Sequence, residues 1–312
     1  MGTSTPAQPF NQPFTEPPTL RPVGAESGGV REVTVRVEGH DAHAFVGGRG
    51  DDLVLVHGGW GGAATHWRAV WGPLSDRFHV IAPNLPGIGD TVQPGLGSLG
   101  GYARWLGALL DELEVPNAWF VGNSFGVSLI SRFALDFPRR CRGLVFVNGF
   151  PLRETPPFLR WLGERRMGQR LMRTIEKQVA YRPGALQRGF FDTAKVPEEI
   201  RAMVQQKAPP QAAAVAEVLI RGGGPASILP VAPVLLWGEE DHLPGTNKHD
   251  AEQLRGSLRA SRLVFVPRAG HMPQVENPRA FVDALVPIIQ QSTQESDEAQ
   301  LRDTVTEHRP RV

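Results

Sequence analysis

The sequence predicts an α/β fold built on a mostly parallel sheet. Three observations carry that reading. Short apolar runs recur along the chain: Leu53–Val56, Val80–Ala82, Ala118–Val121, Leu144–Val147, Val234–Trp237 and Leu263–Val266. Runs of this length without alternation fit strands buried on both faces. Segments with apolar residues at helical spacing lie between several of them, and strands alternating with helices build a parallel sheet. Glycine-rich turns follow two of the runs, His57-Gly58-Gly59-Trp60-Gly61-Gly62 and Gly122-Asn123-Ser124-Phe125-Gly126.

The first strand is Arg31–Val37, where polar and apolar residues alternate as on a half-buried strand. His43–Val46 is its expected hairpin partner. Leu53–Val56 follows as a buried parallel strand, then a helix over Thr65–Leu74. Val80–Ala82 is a short strand ending in the turn-rich Pro83-Asn84-Leu85-Pro86-Gly87. Tyr102–Leu113 reads as helix, Ala118–Val121 as strand, Val127–Phe137 as helix and Leu144–Val147 as strand. Strand rhythm then stops. Residues 151–230 hold no apolar strand run, and arginines interrupt helix-like segments, so this stretch reads as a helical insertion between two sheet strands. Val234–Trp237 and Leu263–Val266 resume the sheet, and a last helix runs over 278–290. The polar tail, 292–312, is assigned no role.

Composition excludes several function classes. The chain has 312 residues, 41% hydrophobic and 21% charged, ordinary for a globular protein with a sizeable core. A net charge of +1 with no dominant basic patch gives no basis for nucleic-acid binding. No stretch is apolar enough to span a membrane. The one cysteine, Cys141, is expected to be a small packing residue. Residues 1–28 contain six prolines and no basic residue before Arg21. They lack the apolar centre of a secretory signal and read as a disordered arm, with a cytoplasmic location expected. Oligomeric state is left open.

The segment around Ser124 carries chemistry. A serine between two glycines at a strand-to-helix junction is the nucleophile-elbow pattern. The turn is so tight that neighbours two residues away must lack a Cβ. The helix that follows aims backbone N–H groups at the same point, where negative charge would develop. A serine hydroxyl is a poor nucleophile at neutral pH and needs a base and a group to orient that base. Candidates sit at the ends of two later strands: Asp241 in Trp237-Gly238-Glu239-Glu240-Asp241, and His271 in the loop after Val266. In a parallel sheet these loops share one edge, so Ser124, Asp241 and His271 can converge. Glu239 and Glu240 compete for the acid role, and His242 and His249 for the base. The alternative acid position after Leu144–Val147 holds Asn148, which carries no charge.

The oxyanion hole needs two N–H donors. Phe125, after the serine, and Gly59, in the loop after Leu53–Val56, are the expected pair, with Trp60 as a wall of the pocket. Asn123 and Met272, beside the serine and the histidine, are further candidates for substrate contact. His57 is expected to fasten its loop. The glycine-rich loop lacks the lysine and hydroxyl of a phosphate-binding P-loop. No metal site is expected.

The chain resembles α/β-hydrolase fold proteins of the capped, single-domain kind. The resemblance rests on His57-Gly58-Gly59, Asn84–Gly89, the Ser124 elbow, Gly238–Asp241, Gly270-His271 and Glu276-Asn277-Pro278, in the family's order Ser, Asp, His. It implies an eight-stranded, mostly parallel sheet with helices on both faces. The core would cover 29–150 and 231–291, with a helical cap over 151–230. It implies acyl-enzyme chemistry without a cofactor on a small-molecule substrate with an apolar portion: His271 takes the Ser124 proton, Ser124 attacks a carbonyl, and Asp241 steadies the imidazolium. An ester is the first substrate class. Gly122-Asn123-Ser124 also resembles hydrolases that cleave carbon–carbon bonds in meta-cleavage products, although Met272 stands where those usually have tryptophan. A non-hydrolytic lyase, cyclase or receptor on the same fold is the third reading. Asn84 replaces the aspartate usual in the family, which is expected to remove a charge near the site entrance. The cap holds ten arginines and three lysines against seven acids. Arg160, Arg165, Arg166, Arg170 and Arg173 are candidates to meet an anionic substrate.

Overall fold

The computed structural model describes residues 21–22, 29–88, 91, 96–151, 161, 165, 174, 183–205, 214–215, 218, 228–260 and 262–307. Among the described residues, nine strands form one sheet: β1 (Arg21–Pro22), β2 (Val30–Val37), β3 (His40–Gly47), β4 (Asp52–Val56), β5 (His79–Pro83), β6 (Ala118–Asn123), β7 (Cys141–Val147), β8 (Val234–Gly238) and β9 (Arg262–Val266). Their order across the sheet is β1-β2-β3-β5-β4-β6-β7-β8-β9. The pairs from β5 through β9 are parallel; β1, β2 and β3 add antiparallel strands at one side. Eight strands form the expected sheet. The ninth, β1, corrects the expectation that all of residues 1–28 are disordered: Arg21 and Pro22 pair with Thr34 and Val33. Proline is tolerated there because an edge strand can do without its N–H.

Helices cover both faces. Among the described residues the helices used below are α1 (Ala63–Ser75), α2 (Leu99–Glu112), α3 (Phe125–Asp136), α4 (Pro183–Gly189), α5 (Glu198–Gln205), α6 (Lys248–Leu258), α7 (Pro273–Glu276) and α8 (Pro278–Glu307). The alternation within β4 shows why a continuous apolar run was needed. Leu53 and Leu55 face Trp67, Val70 and Leu74 of α1 and Phe281 and Leu285 of α8. Val54 and Val56 face the cluster containing Leu106 and Leu109 of α2 and Ile130 and Phe133 of α3. Burying each such side chain is worth about 1.5–3 kcal/mol. Helix α8 continues to Glu307, past the expected end near 290. After Pro287 no proline or glycine interrupts the segment until Pro310, and its residues are largely good helix formers. Cys141 is buried, with its thiol pushed up to about 12 by desolvation, as fits a packing residue.

Between β7 and β8 the described residues hold α4, a 3₁₀ turn at Thr193–Lys195, and α5, with no strand among them. Most of the expected cap contacts, including Arg160, Arg166, Arg170 and Arg173, lie outside the described residues. Arg165 is described, with its guanidinium 3.4 Å from the Trp161 ring centroid. The strand order reverses around β4, which lies between β5 and β6. The crevice beyond the carboxyl ends of these strands is where open α/β sheets bind ligands.

Candidate active site

Ser124 joins β6 to α3 with φ 54° and ψ −117°, a conformation that costs a non-glycine residue about 1–3 kcal/mol. The surroundings impose it. A Cβ on Gly122 would sit 2.6 Å from the Gly126 carbonyl carbon, and one on Gly126 would run into the Val56 carbonyl oxygen. Only glycines let β4, the elbow and α3 approach this closely. The Ser124 N–H donates to Val147 O at 3.0 Å, and its carbonyl accepts from Val127 N at 3.0 Å. The residue remains partly exposed between buried Asn123 and Phe125. Phe125 opens α3, so its N–H is one of the first-turn donors without an intrahelical acceptor.

His271 Nδ1 donates to Asp241 Oδ2 at 2.8 Å, and both residues are buried. This bond holds the proton on Nδ1 and leaves Nε2 as the basic nitrogen. Asp241 Oδ1 accepts from Leu243 N at 3.0 Å, and Oδ2 also accepts from Asn148 Nδ2 at 2.9 Å. The competitors are engaged elsewhere. Glu239 pairs with Lys248 at 3.1 Å, and Glu240 lies 3.6 Å from exposed His242. His249 is exposed on α6 beside Gln253.

The loop after β4 is pinned by two neutral histidines. His57 Nδ1 donates to Gly58 O at 2.7 Å, and Nε2 accepts from Leu85 N at 2.9 Å. His66, on α1, donates from Nδ1 to Gly62 O at 3.1 Å and accepts the Gly58 N–H on Nε2 at 3.0 Å. Burial lowers the His57 pKa to about 4 and holds His66 well below its usual value. Gly59, between them, is half-buried. Asn84 corrects an expectation. It is buried rather than at an entrance, and its Oδ1 accepts from Ala63 N at 2.7 Å, fastening the start of α1.

Trp60 spans the site. Its ring stacks on Phe190 at 6.0 Å and meets the His271 ring edge-on at 5.4 Å. Trp60 and Phe190 belong to an apolar cluster with Ala185, Ile200, Met203 and Met272. Asn123 and Met272, both expected beside the substrate, have little or no exposed surface. Asn123 is fully buried, and its Nδ2 donates to the carbonyls of Val147 and His271, both at 3.0 Å. Its side chain clamps the base loop to the elbow. Met272 is fully buried inside the cluster. No group of three or more His, Cys, Asp or Glu side chains among the described residues could hold a metal ion. No helix among them is long and apolar enough to cross a membrane.

A sequence profile of the alpha/beta hydrolase family matches residues 53–284. The chain belongs to the alpha/beta hydrolase family. It is 30% identical over 269 residues to the pimeloyl-[acyl-carrier protein] methyl ester esterase of Shewanella oneidensis, covering 81% of this chain and 96% of that one. It is 43% identical over 106 residues to the 2-hydroxy-6-oxo-2,4-heptadienoate hydrolase of Pseudomonas putida, covering 32% of this chain and 38% of that one. A thermophilic esterase from Thermogutta terrifontis shares the fold, with a TM-score of 0.64 and 23% identity over 84% of this chain and 98% of that one. Both curated relatives are hydrolytic enzymes.

Sequence reasoning missed three residues of this alpha/beta hydrolase site. His66 carried a local signal, since it falls on the buried face of α1 with Ala63, Trp67 and Val70. Asn148 carries no charge, so its place after β7 gives no local sign that its amide donates to Asp241. Glu276 was noted within a motif but given no role.

Proposed function

We propose that the chain is a serine hydrolase that cleaves a carboxylic ester through an acyl-enzyme. The His271–Asp241 hydrogen bond of 2.8 Å, at the sheet edge that bears the strained Ser124 elbow, carries this reading. His271 Nε2 accepts the Ser124 proton as the hydroxyl oxygen attacks the carbonyl. Asp241 stays ionised and stabilises the imidazolium. The N–H groups of Phe125 and Gly59 receive the oxyanion, each worth about 3 kcal/mol in the transition state. The imidazolium then protonates the leaving alcohol. Water, deprotonated by the same nitrogen, releases the acid and restores the serine.

The segment 151–230 acts as a lid on a core of 29–150 and 231–291, and the cluster of Trp60, Phe190 and Ile200 receives the apolar part of a small substrate. The proposed setting is the cytoplasm. The esterase relative, matched along most of both chains, supports ester cleavage. A second reading, carbon–carbon hydrolysis of a vinylogous diketone acid, is favoured by the 43% identity to the heptadienoate hydrolase over 106 residues.

The test is turnover of a chain-length series of p-nitrophenyl esters beside a ring-cleavage product, with Ser124→Ala in parallel. The serine mechanism requires that Ser124→Ala lose at least about a thousandfold in kcat. Strong preference for the ring-cleavage product would replace the ester reading with the second one. No turnover by folded wild type would point to a non-hydrolytic member of the family.

A further inference from the structure

Glu276, at the end of α7, is only 1% exposed, yet it carries a carboxyl group. Its Oε1 accepts from Gly270 N at 2.7 Å, one residue before His271. Its Oε2 accepts from Phe191 N at 2.7 Å and from Asp192 N at 3.1 Å. These residues directly follow Phe190, which stacks on Trp60. One carboxylate thus holds both the loop of the base and the segment that covers it. The Lys195 ammonium binds the Glu276 backbone carbonyl, at 2.6 Å.

The same two segments are joined elsewhere. The His271 N–H donates to Gly189 O at 2.6 Å, and the His242 N–H donates to Arg188 O at 2.9 Å. A Cβ on Gly270 would strike the Gly189 carbonyl oxygen, so the approach requires glycine. Residues 188–192 therefore bond to the acid loop, the base loop and Glu276. Three N–H donors facing two oxygens suit a carboxylate and not a neutral amide.

We propose that Glu276 is a positioning residue for the reaction, fixing His271 through Gly270 and, with the same carboxylate, locking the covering segment against it. The inference rests on the reading of His271 as the base. A base displaced by a fraction of an ångström loses rate without losing the fold, because the cost falls on alignment in the transition state.

The discriminating variant is Glu276→Gln in the full chain. It keeps shape and volume, but its amide must turn an NH₂ toward either Gly270 or the Phe191–Asp192 pair. Ester turnover, the rate and final extent of serine labelling by a fluorophosphonate, and the NMR resonance of the His271 Nδ1 proton are measured well below the unfolding midpoint. The expected result is a folded protein labelled to the same final extent. Its labelling rate and kcat fall about 10–100-fold, KM changes far less, and the Nδ1 proton resonance shifts or broadens. Turnover and labelling rates equal to wild type per folded molecule, with only a lower unfolding midpoint, would reduce Glu276 to a structural role. If wild type neither hydrolyses esters nor is labelled, the ester reading fails by itself. The Nδ1 resonance then decides the Glu276 inference, and an unchanged resonance in the variant overturns it. If the glutamine variant does not fold, Glu276→Asp, which keeps the charge with shorter reach, is read by the same measurements.

Discussion

Asn148 Nδ2 donates to Asp241 Oδ2 at 2.9 Å, on the same oxygen that accepts from His271 Nδ1 at 2.8 Å. The Asn148 Oδ1 accepts from Gly238 N at 2.8 Å, so the amide also ties β7 to the end of β8. An uncharged residue at the alternative acid position thus serves as a donor to the acid used here. Donors favour the ionised carboxylate over its protonated form.

Asn148→Ala leaves Asp241 one donor short and the buried Gly238 N–H unpaired. Stability is expected to fall by about 1–3 kcal/mol in denaturant unfolding. Asn148→Asp brings two carboxyl groups to one site, where they share a proton. The acid limb of its pH–activity profile is expected to move to higher pH. An unmoved limb would show that the two groups do not interact.

Acid sensitivity follows from His57 and His66. Both are buried neutral, and the His57 pKa is lowered to about 4. In the unfolded chain each titrates near its ordinary value of 6.5. Below that pH the unfolded state binds more protons, so the contribution is complete above 6.5 and is lost as pH falls toward 4. For His57 the loss is on the order of 3 kcal/mol. Unfolding free energies at pH 7 and pH 4.5 are expected to differ less in His57→Gln than in wild type.

Strain at Ser124 predicts a trade between stability and activity. Ser124→Gly relieves the φ of 54° and is expected to be about 1 kcal/mol more stable than Ser124→Ala, after the glycine's unfolded-state entropy is set against the relief. Both variants lose turnover. Gly126→Ala acts oppositely, pressing a methyl against the Val56 carbonyl, with an expected cost of about 2–3 kcal/mol. Thermal or denaturant midpoints of the three variants check the order.

Trp60→Ala removes the ring that touches both Phe190 and His271. Longer acyl chains are expected to lose most in kcat/KM, flattening the chain-length profile. A uniform loss across the ester series would mean that the ring acts through His271 instead.

The elements legible from the chain were those with a local signature. Leu53–Val56 reads as a buried strand because its neighbours are apolar on both faces. The elbow reads as a nucleophile site because Gly122 and Gly126 flank a serine where a strand meets a helix. The polar tail from 292 reads equally as loose helix or coil, because polarity without apolar periodicity marks neither; the structure carries α8 on to Glu307, and no breaker follows Pro287 until Pro310.

By itself the sequence determined the sheet and the elbow, since each depends on periodicity or on residues a few positions apart. Tertiary structure brought Asp241, the acid named by its place after β8, to His271 while Glu239 and Glu240 turn elsewhere, and it alone decided that Asn123 ties the carbonyls of Val147 and His271 and that Glu276 reaches Phe191. The bonds concerned join residues 30, 148 and 85 positions apart. Which polar groups become partners across such spans is settled by what burial leaves facing them, and no local pattern records that.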